Sequence, residues 1–534
     1  MSLSTQIDSL WVFALASKCS SLTKETLLCS LLFLLLICFL VSIFHWAHPG
    51  GPAWGSHGCY RRTAAVIPGP RGLPLIGSMT LMMGLAHQRI AAIAKSLGAT
   101  RLMAFSLAYT RVIVTSHPDV AKEILNSSVF ADRPIKESAY SLMFNRAIGF
   151  APYGLYWRTL RRIASHHLFS PKQIKSSESH RRHIASQMLT IFSSTTTSST
   201  HRVRDTLKRA SLNSMMASVF GRFYTLTDSN NEAEQLQTLV AEGYDLLGLL
   251  NWSDHLPFLA DFDPQRIRFR CSQLVPQVNQ LVGRIIAEHR SNSTPQQITD
   301  FVDVLLSLQQ SDNLSDSDII AVLWEMIFRG TDTTAVLMEW ILARMVVHPE
   351  VQEKVQSELD TVVGRSRGVV ESDIPSLVYL TAVVKEVLRL HPPGPLLSWA
   401  RLAITDTTID GHHVPKGTTA MVNMWSIARD PQVWSDPLEF KPERFVSGGA
   451  DVEFSVMGSD LRLAPFGSGR RTCPGKALAW TTVIFWVATL LHEFKWLPSP
   501  NQNDAVDFSE VLKLSCEMAN PLTVKLCPRR NSSF

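Results

Sequence analysis

A cysteine in a glycine-rich stretch near the C-terminus offers the most distinctive chemistry in this sequence. The stretch reads Phe466-Gly-Ser-Gly469-Arg-Arg471-Thr-Cys473-Pro-Gly475, and an apolar segment follows it. Its glycines allow the backbone to turn tightly and to approach a flat cofactor closely. A helix predicted to begin near the proline points its amide groups at the sulfur, which lowers the pKa of a thiol. A thiolate of this kind is the type of ligand that binds a haem iron, while the alternative is a buried free cysteine before a helix.

An acid followed by an alcohol lies in a long apolar segment, residues 319–347, which is predicted to be one helix. Charged residues in its middle make a membrane span costly, so we reject that interpretation. Gly330 in a helix interior costs about 1 kcal/mol relative to alanine, which indicates that something approaches closely there. Asp332 and Thr333 could hold water and pass protons to oxygen, and they are predicted to be the catalytic pair. The alternative is an ordinary helix cap or a buried threonine.

Two further pairs have helical spacing. Trp157 and Arg161 are four residues apart in a basic amphipathic segment, residues 156–168, so both N–H groups could reach one acidic group on a cofactor. Without that cofactor the segment is a solvated basic face. Glu386 and Arg389 are three residues apart in the segment 377–390, and Arg444 follows in Lys441-Pro-Glu-Arg444-Phe445. As surface charges these residues would contribute under about 1 kcal/mol.

Together, in this order along the chain, the motifs resemble those of the cytochrome P450 superfamily over residues 67 to the C-terminus. The resemblance implies a mainly α fold with small β-sheets (α+β) and a haem b whose iron is bound by Cys473. It implies a buried Glu386–Arg389–Arg444 network that holds the region carrying the haem loop. The implied cofactor contacts are Trp157, Arg161, Arg401, Phe466, Arg471 and Gly475. Four other cations, predicted to attract an acidic redox partner, are Arg158, Arg162, Arg470 and Lys476.

The implied activity is that of a monooxygenase, which uses O2 and inserts one oxygen atom into a lipophilic small molecule. Electrons are expected from an NADPH-dependent reductase in trans, because no glycine-rich nucleotide-binding pattern is visible in the chain. Two alternatives are a haem-thiolate isomerase or dehydratase acting on peroxides, and a non-enzymatic membrane haem sensor. Neither needs an acid–alcohol pair, so Asp332 and Thr333 favour the monooxygenase.

Four shorter stretches resemble the plant microsomal enzymes of subfamily 78A. Members of that subfamily are implicated in organ and seed growth, and some hydroxylate fatty acids. The stretches are Gly50-Gly-Pro-Ala-Trp-Gly55, Ala131-Asp-Arg-Pro134, Phe150-Ala-Pro-Tyr-Gly154 and Phe328-Arg-Gly-Thr-Asp332.

Arg329 departs from the superfamily pattern, which has a small residue next to this glycine. One interpretation is a structural ion pair, since Glu325 lies four residues before Arg329 and Asp332 three residues after it on one helical face. The other is that Arg329 reaches the substrate pocket and binds a carboxylate. The sequence leaves both interpretations open.

The N-terminus predicts how this chain is held in the cell. Residues 27–47 carry no Lys, Arg, Asp or Glu and are long enough to span a bilayer, with His45 and Trp46 at the end. Arginines at 61, 62 and 71 follow the span, which predicts a single-pass anchor with a cytosolic catalytic domain. The resemblance to the plant microsomal enzymes implies that the anchor lies in the endoplasmic reticulum membrane. A transit peptide or a cleaved signal peptide is the alternative. The predicted organisation is a luminal segment at 1–26, the anchor at 27–47, a proline-rich linker at 48–77 and the haem domain at 78–534.

Composition restricts the partners and the compartment. The 534 residues carry a net charge of +5 from 51 basic and 46 acidic residues, a balance that does not favour nucleic acid. The eight cysteines are scattered without a Cys-x-x-Cys pair, which predicts neither a zinc site nor a disulfide framework and is typical of a reducing compartment. Helices are expected at 351–365 and 377–390, strands at 111–115 and 407–409, and loops at 193–200 and 448–452.

Overall fold

The computed structural model describes residues 24–55, 66–194, 200–227, 231–292, 300–397, 400–446, 454, 456–457, 460–499 and 506–529. Helices make up most of the described chain. In order they are α1 (Lys24–Trp46), α2 (Pro52–Gly55), α3 (Ala86–Ser96), α4 (Pro118–Asn126), α5 (Glu137–Ser141), α6 (Leu155–His167), α7 (Pro171–Ser176), α8 (Glu178–Ser193), α9 (Val203–Phe220), α10 (Asn231–Gly248), α11 (Ile267–Asn292), α12 (Phe301–Leu308), α13 (Asp316–Val347), α14 (Pro349–Val362), α15 (Val378–Leu390), α16 (Met424–Ile427) and α17 (Lys476–Glu493).

The strands are short and form small sheets beside the helices, so the predicted α+β class is confirmed. They are β1 (Met103–Leu107), β2 (Thr110–Thr115), β3 (His201–Arg202), β4 (Arg401–Leu402), β5 (Thr407–Ile409), β6 (His412–Val414), β7 (Thr419–Val422), β8 (Phe494–Pro498), β9 (Glu510–Leu512), β10 (Cys516–Met518) and β11 (Thr523–Pro528). One sheet has the order β1-β2-β7-β4, another has the order β3-β11-β8, and β5–β6 and β9–β10 are two-stranded. The β2–β7 pair is parallel, while the other pairs are antiparallel.

Helix α13 is the central element of the core. It begins with a capping box in which Ser315 and Asp318 satisfy each other's backbone amides. Its 32 residues would extend about 48 Å, and most of its side chains are buried because it is surrounded by other helices. The helix continues without a break through Arg329 and Thr334. Thr331 donates its hydroxyl to the carbonyl of Ile327 at 2.8 Å, as a threonine in a helix can do without ending it.

Helix α17 follows the cysteine loop and is buried over most of its length. It begins at Lys476, two residues after the proline where the sequence predicted its start. The predicted network of Glu386, Arg389 and Arg444 is present: Arg389 binds both carboxylate oxygens of Glu386 at 2.8 Å, and Arg444 binds one of them at 3.2 Å. The network is buried, since Glu386 and Arg389 have no exposed side-chain area. This prediction is confirmed.

The N-terminal helix α1 is long and apolar enough to cross a membrane, and its residues 26–41 are all exposed. The beginning of the predicted linker packs against the globular part of the protein. Trp54 is buried, and its indole N–H donates to the carbonyl of Phe105 in β1 at 3.0 Å. The amide of Ala53 donates to the hydroxyl of Ser106 at 3.0 Å. Short helix α2 is therefore docked against the sheet.

Elements with a clear sequence period were well predicted. The expected helices at 351–365 and 377–390 correspond to α14 and α15, and the expected strands correspond to β2 and β5. The expected loop at 193–200 overlaps the end of α8, and its residues 195–199 lie outside the described residues, as do all of 448–452. The six cysteines in the described part of the chain form no disulfide bonds.

Candidate active site

A cavity of about 290 Å³ lies between α13 and the segment 465–486. The α13 residues Gly330, Thr333 and Thr334 contribute to its wall, and Cys473 and Phe466 contribute from the other segment. The remaining lining side chains are largely apolar. Ile148, Tyr244, Leu397 and Leu514 come from four separate parts of the chain, which is why no single sequence segment reveals the cavity.

The cysteine loop turns tightly at two glycines with positive φ. Gly467 has φ of +69° and Gly469 has φ of +70°, a region that favours glycine. A Cβ atom at Gly469 would lie 2.0 Å from the carbonyl oxygen of Leu125, so this glycine also permits close packing on α4. A Cβ atom at Gly467 would meet no atom within 4 Å, because this position borders the open cavity. The loop is closed by a hydrogen bond from the Cys473 amide to the Phe466 carbonyl at 2.9 Å.

The thiol of Cys473 has a raised pKa in the chain by itself. Burial raises this pKa, while the backbone N–H of Gly475 and the positive charge of Arg161 lower it. The predicted helix-end effect is therefore present but is outweighed by burial. A metal ion at this position would reverse the balance, since a coordinating thiol loses its proton outright.

Two buried arginines, Arg401 and Arg471, and two half-buried ones, Arg133 and Arg161, lie around the same cavity. Arg161, Arg401, Arg471 and Arg133 all line it. Burial, and then the nearby cations Arg471 and Arg161, lowers the pKa of Arg401 to about 9. Arg471 is 6% exposed, and burial lowers its pKa to about 10 against the opposing charge of Asp132. A cluster of cations at such depth needs anions beside it.

These observations fit a haem. The thiol, the open face at Gly467 and the arginine cluster match an iron, a flat macrocycle and two carboxylates respectively.

Arg133 was missed in the sequence, although its motif Ala131-Asp-Arg-Pro134 was recognised as a resemblance. Its guanidinium donates to the carbonyls of Gly149 at 3.3 Å and Ala400 at 3.1 Å. No local periodicity marks this residue, because its neighbours in the cavity come from other parts of the chain.

Of the six predicted cofactor contacts, all but Trp157 line the cavity. Arg161, Arg401, Phe466, Arg471 and Gly475 line the cavity. Trp157 is buried but does not line the cavity. Its indole N–H donates to the carbonyl of Ile148 at 3.0 Å. Arg471 also donates to that carbonyl, at 3.2 Å, so Trp157 supports the loop that surrounds the arginines. Spacing along α6 could not reveal this, because it fixes a face of the helix and not the partner of that face.

Thr333 and Asp332 point to different surroundings. Thr333 lines the cavity, whereas the Asp332 carboxylate pairs with the ammonium of Lys208 on α9 at 2.8 Å. Burial raises the pKa of Asp332, and the charge of Lys208 is the main influence that lowers it. The acid of the predicted pair thus lies behind the cavity wall, at the α9–α13 interface.

Arg329 forms the predicted ion pair with Glu325, with Nε 2.9 Å from the carboxylate. That interpretation is confirmed in part, since Asp332 takes Lys208 as its partner. Glu325 is fully buried and also accepts the amide of Gly149. Arg329 lines the cavity as well, so binding of a substrate carboxylate stays a prediction.

The four cations expected to attract a redox partner differ in their surroundings. Arg162 pairs with Asp312 at 2.5 Å, and Lys476 donates to the carbonyl of Met457 at 2.9 Å. Arg470 donates to the carbonyl of Asn126 at 3.0 Å and is exposed. Their role toward a partner stays a prediction.

Comparison with known proteins gives consistent results. The family model described as Cytochrome P450 matches residues 67–518. Cytochrome P450 78A3 of Glycine max is 67% identical over 523 residues, which cover 98% of this chain and 99% of the relative. Cytochrome P450 78A9 of Arabidopsis thaliana is 67% identical over 535 residues, covering 99% and 100%. Among solved structures, a zebra fish cytochrome P450 with abiraterone has a TM-score of 0.70 at 27% identity and covers 83% of this chain and 99% of its own.

Proposed function

Because this chain belongs to the cytochrome P450 family, and to its plant subfamily 78A, we propose that it hydroxylates a lipophilic acid or a related lipid, such as a fatty acid. The chain is a monooxygenase of the haem-thiolate type. The observation that carries the substrate proposal is a mostly apolar cavity whose charged wall residues include Arg329. An apolar chain fits the first feature, and an acidic group fits the second. A product that acts in organ or seed growth is the physiological role we propose.

When bound, a haem would supply the reductive activation of O2, in which two electrons and two protons accompany insertion of one oxygen atom into a substrate C–H bond and release of the other as water. We assign Cys473 as the iron ligand, and Arg133, Arg161, Arg401 and Arg471 as the residues that hold the haem carboxylates. Their burial and mutual repulsion support this assignment. Phe466 and Gly475 pack beside the ligand.

Thr333 and Asp332 are assigned to proton delivery. Thr333 lines the cavity and can hold a water molecule there with its hydroxyl. Asp332, one residue away on the same helix, exchanges protons between that water and the charged interface behind the wall. A positioned acid of this kind contributes about 10²–10⁴-fold in rate.

The anchor and the electron source complete the proposal. We infer that residues 27–47 hold the protein in the endoplasmic reticulum membrane, with 1–26 luminal and the haem domain at 78–534 cytosolic. The exposed apolar helix α1 supports the anchor. An NADPH-dependent reductase in the same membrane is the proposed electron donor.

The test begins with a spectrum. The holoenzyme is reduced under carbon monoxide, and the Soret band of a thiolate complex is expected and should disappear in Cys473→Ser. Turnover is then measured with the reductase, NADPH and a panel of saturated fatty acids and their methyl esters. Hydroxylated acid is the expected product. A thiolate band without any NADPH-dependent product from acids or esters would contradict the lipid substrate while leaving the family assignment intact.

A further inference from the structure

One lysine faces two carboxylates behind the cavity wall. The ammonium of Lys208 lies 2.8 Å from Asp332 Oδ1 and 3.4 Å from Glu517 Oε2. The side chains of Asp332 and Glu517 are only 14% and 5% exposed, so neither carboxylate is well solvated. A single positive charge is therefore shared between two buried negative charges.

The second carboxylate belongs to a hairpin that contacts the cavity. Glu517 lies in β10, and the turn between β9 and β10 places Leu514 and Ser515 in the cavity wall. Glu517 is held from the other side by Lys513 at 3.1 Å and approached by Arg204 at 3.8 Å. Its position is thus fixed by partners other than Lys208.

Lys208 is the direct ion-pair partner of Asp332, whereas Glu517 also has Lys513 and Arg204 beside it. The charged groups facing Asp332 are Lys208 from α9, Glu517 and Lys513 from the hairpin, and the phenol of Tyr244 from α10 lies close by. Of these, Lys208 makes the direct ion pair. A lysine ammonium on a flexible stem can shift between two acceptors, which an arginine fork does less easily.

We propose that Lys208 is a positioning residue for oxygen activation, which keeps Asp332 charged and oriented for proton transfer and is held in balance by Glu517. This inference rests on the proposed role of Asp332 as the acid. Lys208 does not line the cavity, so it acts through Asp332 and not on the substrate.

The proposal predicts opposite effects on the pH profile for replacing Lys208 and for replacing its second partner, Glu517. Removing its charge in Lys208→Met takes a cation from a buried carboxylate, so the acidic limb of the pH profile should move to higher pH. Removing the competing charge in Glu517→Gln should move that limb to lower pH, because Lys208 then serves Asp332 alone. A purely structural role would move neither limb in a defined direction.

The experiment measures product and hydrogen peroxide formed per NADPH across pH, using the full-length holoenzyme with its reductase. In Lys208→Met, product per NADPH should fall about tenfold with a matching rise in peroxide, since a positioned acid is worth at least about a hundredfold in rate. Lys208→Arg should recover most of the coupling. Lys495→Met, which removes an exposed lysine on β8, is the control for loss of one charge.

A double variant separates this inference from the function it rests on. If Lys208 acts through Asp332, Lys208→Met should add no further loss in an Asp332→Asn background. Additive losses would overturn the inference. If Asp332→Asn leaves coupling unchanged, the proposed acid itself is wrong. If Lys208→Met does not give the thiolate carbonyl band, the test uses Glu517→Gln instead. An acidic limb of its pH profile that stays at the pH of the parent protein would overturn the proposal.

Discussion

The amide of Gly149 donates to both carboxylate oxygens of Glu325, at 2.8 Å and 3.0 Å. The carbonyl of the same glycine accepts from Arg133 and Arg471, which line the cavity. The backbone of this single residue therefore joins a buried carboxylate on α13 to the arginines that we assign to the haem carboxylates. A change in the conformation of the loop before α6 would therefore also move the charged groups that line the cavity.

A methyl group at Gly149 should disrupt this junction. A Cβ atom there would lie 2.1 Å from both Arg329 Nη2 and Glu325 Oε1, so the Glu325–Arg329 pair would have to move. We expect Gly149→Ala to lower the free energy of unfolding by about 1–3 kcal/mol, as overpacking does. Urea unfolding and the amplitude of the thiolate carbonyl band measure the effect. Gly283→Ala, where a Cβ atom meets no neighbour within 4 Å, is the control; equal effects in both variants would contradict the prediction.

The buried network on α15 should be costly to break. Glu386→Gln leaves Arg389 buried with its charge uncompensated, because that arginine has no exposed side-chain area. The expected loss is about 3–5 kcal/mol in the free energy of unfolding. Glu443→Gln is the matched control, since Glu443 pairs with Lys354 at the surface and is 45% exposed, and its loss should stay below about 1 kcal/mol. Thermal unfolding of the two variants side by side tests the difference, and similar losses would show that burial is not the cause.

Arg401 should contribute more to haem binding than to the stability of the haem-free protein. Without a cofactor its charge is opposed by burial and by Arg471 and Arg161. Arg401→Met should therefore weaken haem retention by about tenfold, the equivalent of about 1.4 kcal/mol for one charge-assisted bond. Haem transfer to an acceptor protein gives the rate of loss. Arg101→Met, which removes a surface arginine 51% exposed, should leave that rate unchanged.

His391 should make the fold sensitive to acid. Burial lowers its pKa to about 4, and the cations Arg344 and Arg429 act in the same direction against Glu510. This histidine binds a proton near pH 6.5 in the unfolded chain and only near pH 4 in the folded chain. The free energy of unfolding is therefore highest above pH 6.5 and decreases as the pH falls toward 4. The expected loss from this group is about 3 kcal/mol. Urea midpoints between these pH values measure it.

The control for this pH effect is a variant of the same histidine. In His391→Gln the stability should change less with pH over that interval, while His183→Gln, on an exposed face of α8, should behave like the parent protein. His255, whose pKa is also lowered to about 4 by burial, leaves a residual slope in both variants. An unchanged slope in His391→Gln would contradict the assignment.

The docked segment after α1 should stabilise the globular part. Trp54 is 7% exposed and bonded to Phe105, so Trp54→Ala should cost about 3–5 kcal/mol if the segment stays docked. A chain beginning at residue 56 lacks the segment and should unfold at a lower temperature than one beginning at residue 48. Equal unfolding temperatures for the two chains would show that α2 does not contribute to the fold.

Several features of the site were accessible from the sequence because they depend on residues close together in the chain. The sequence from Phe466 to Gly475 places glycine at the two positions of the loop where φ is positive, a conformation that few other residue types adopt. The i, i+4 spacing of Glu325 and Arg329 encodes an ion pair on one helix, and that pair is present. The Glu386–Arg389 pair is local in the same sense.

Contacts between distant segments could not be read in this way. The sequence paired Asp332 with Thr333 because they are neighbours, yet successive residues of a helix diverge by about 100°, so Asp332 leaves the cavity and meets Lys208 from α9. The Trp157 indole meets the carbonyl of Ile148, and Arg133 joins the cavity from a loop.

The sequence by itself determined the chemistry of this protein: a cysteine loop, an acid–alcohol pair, an apolar N-terminal helix and a mainly helical fold. These follow from short-range spacing, which fixes backbone conformation and the face on which a side chain lies. Only the tertiary structure decided which charges are paired and which face the cavity. Electrostatic partners are chosen by proximity in space and by burial, and both arise when helices such as α9 and α13 pack together.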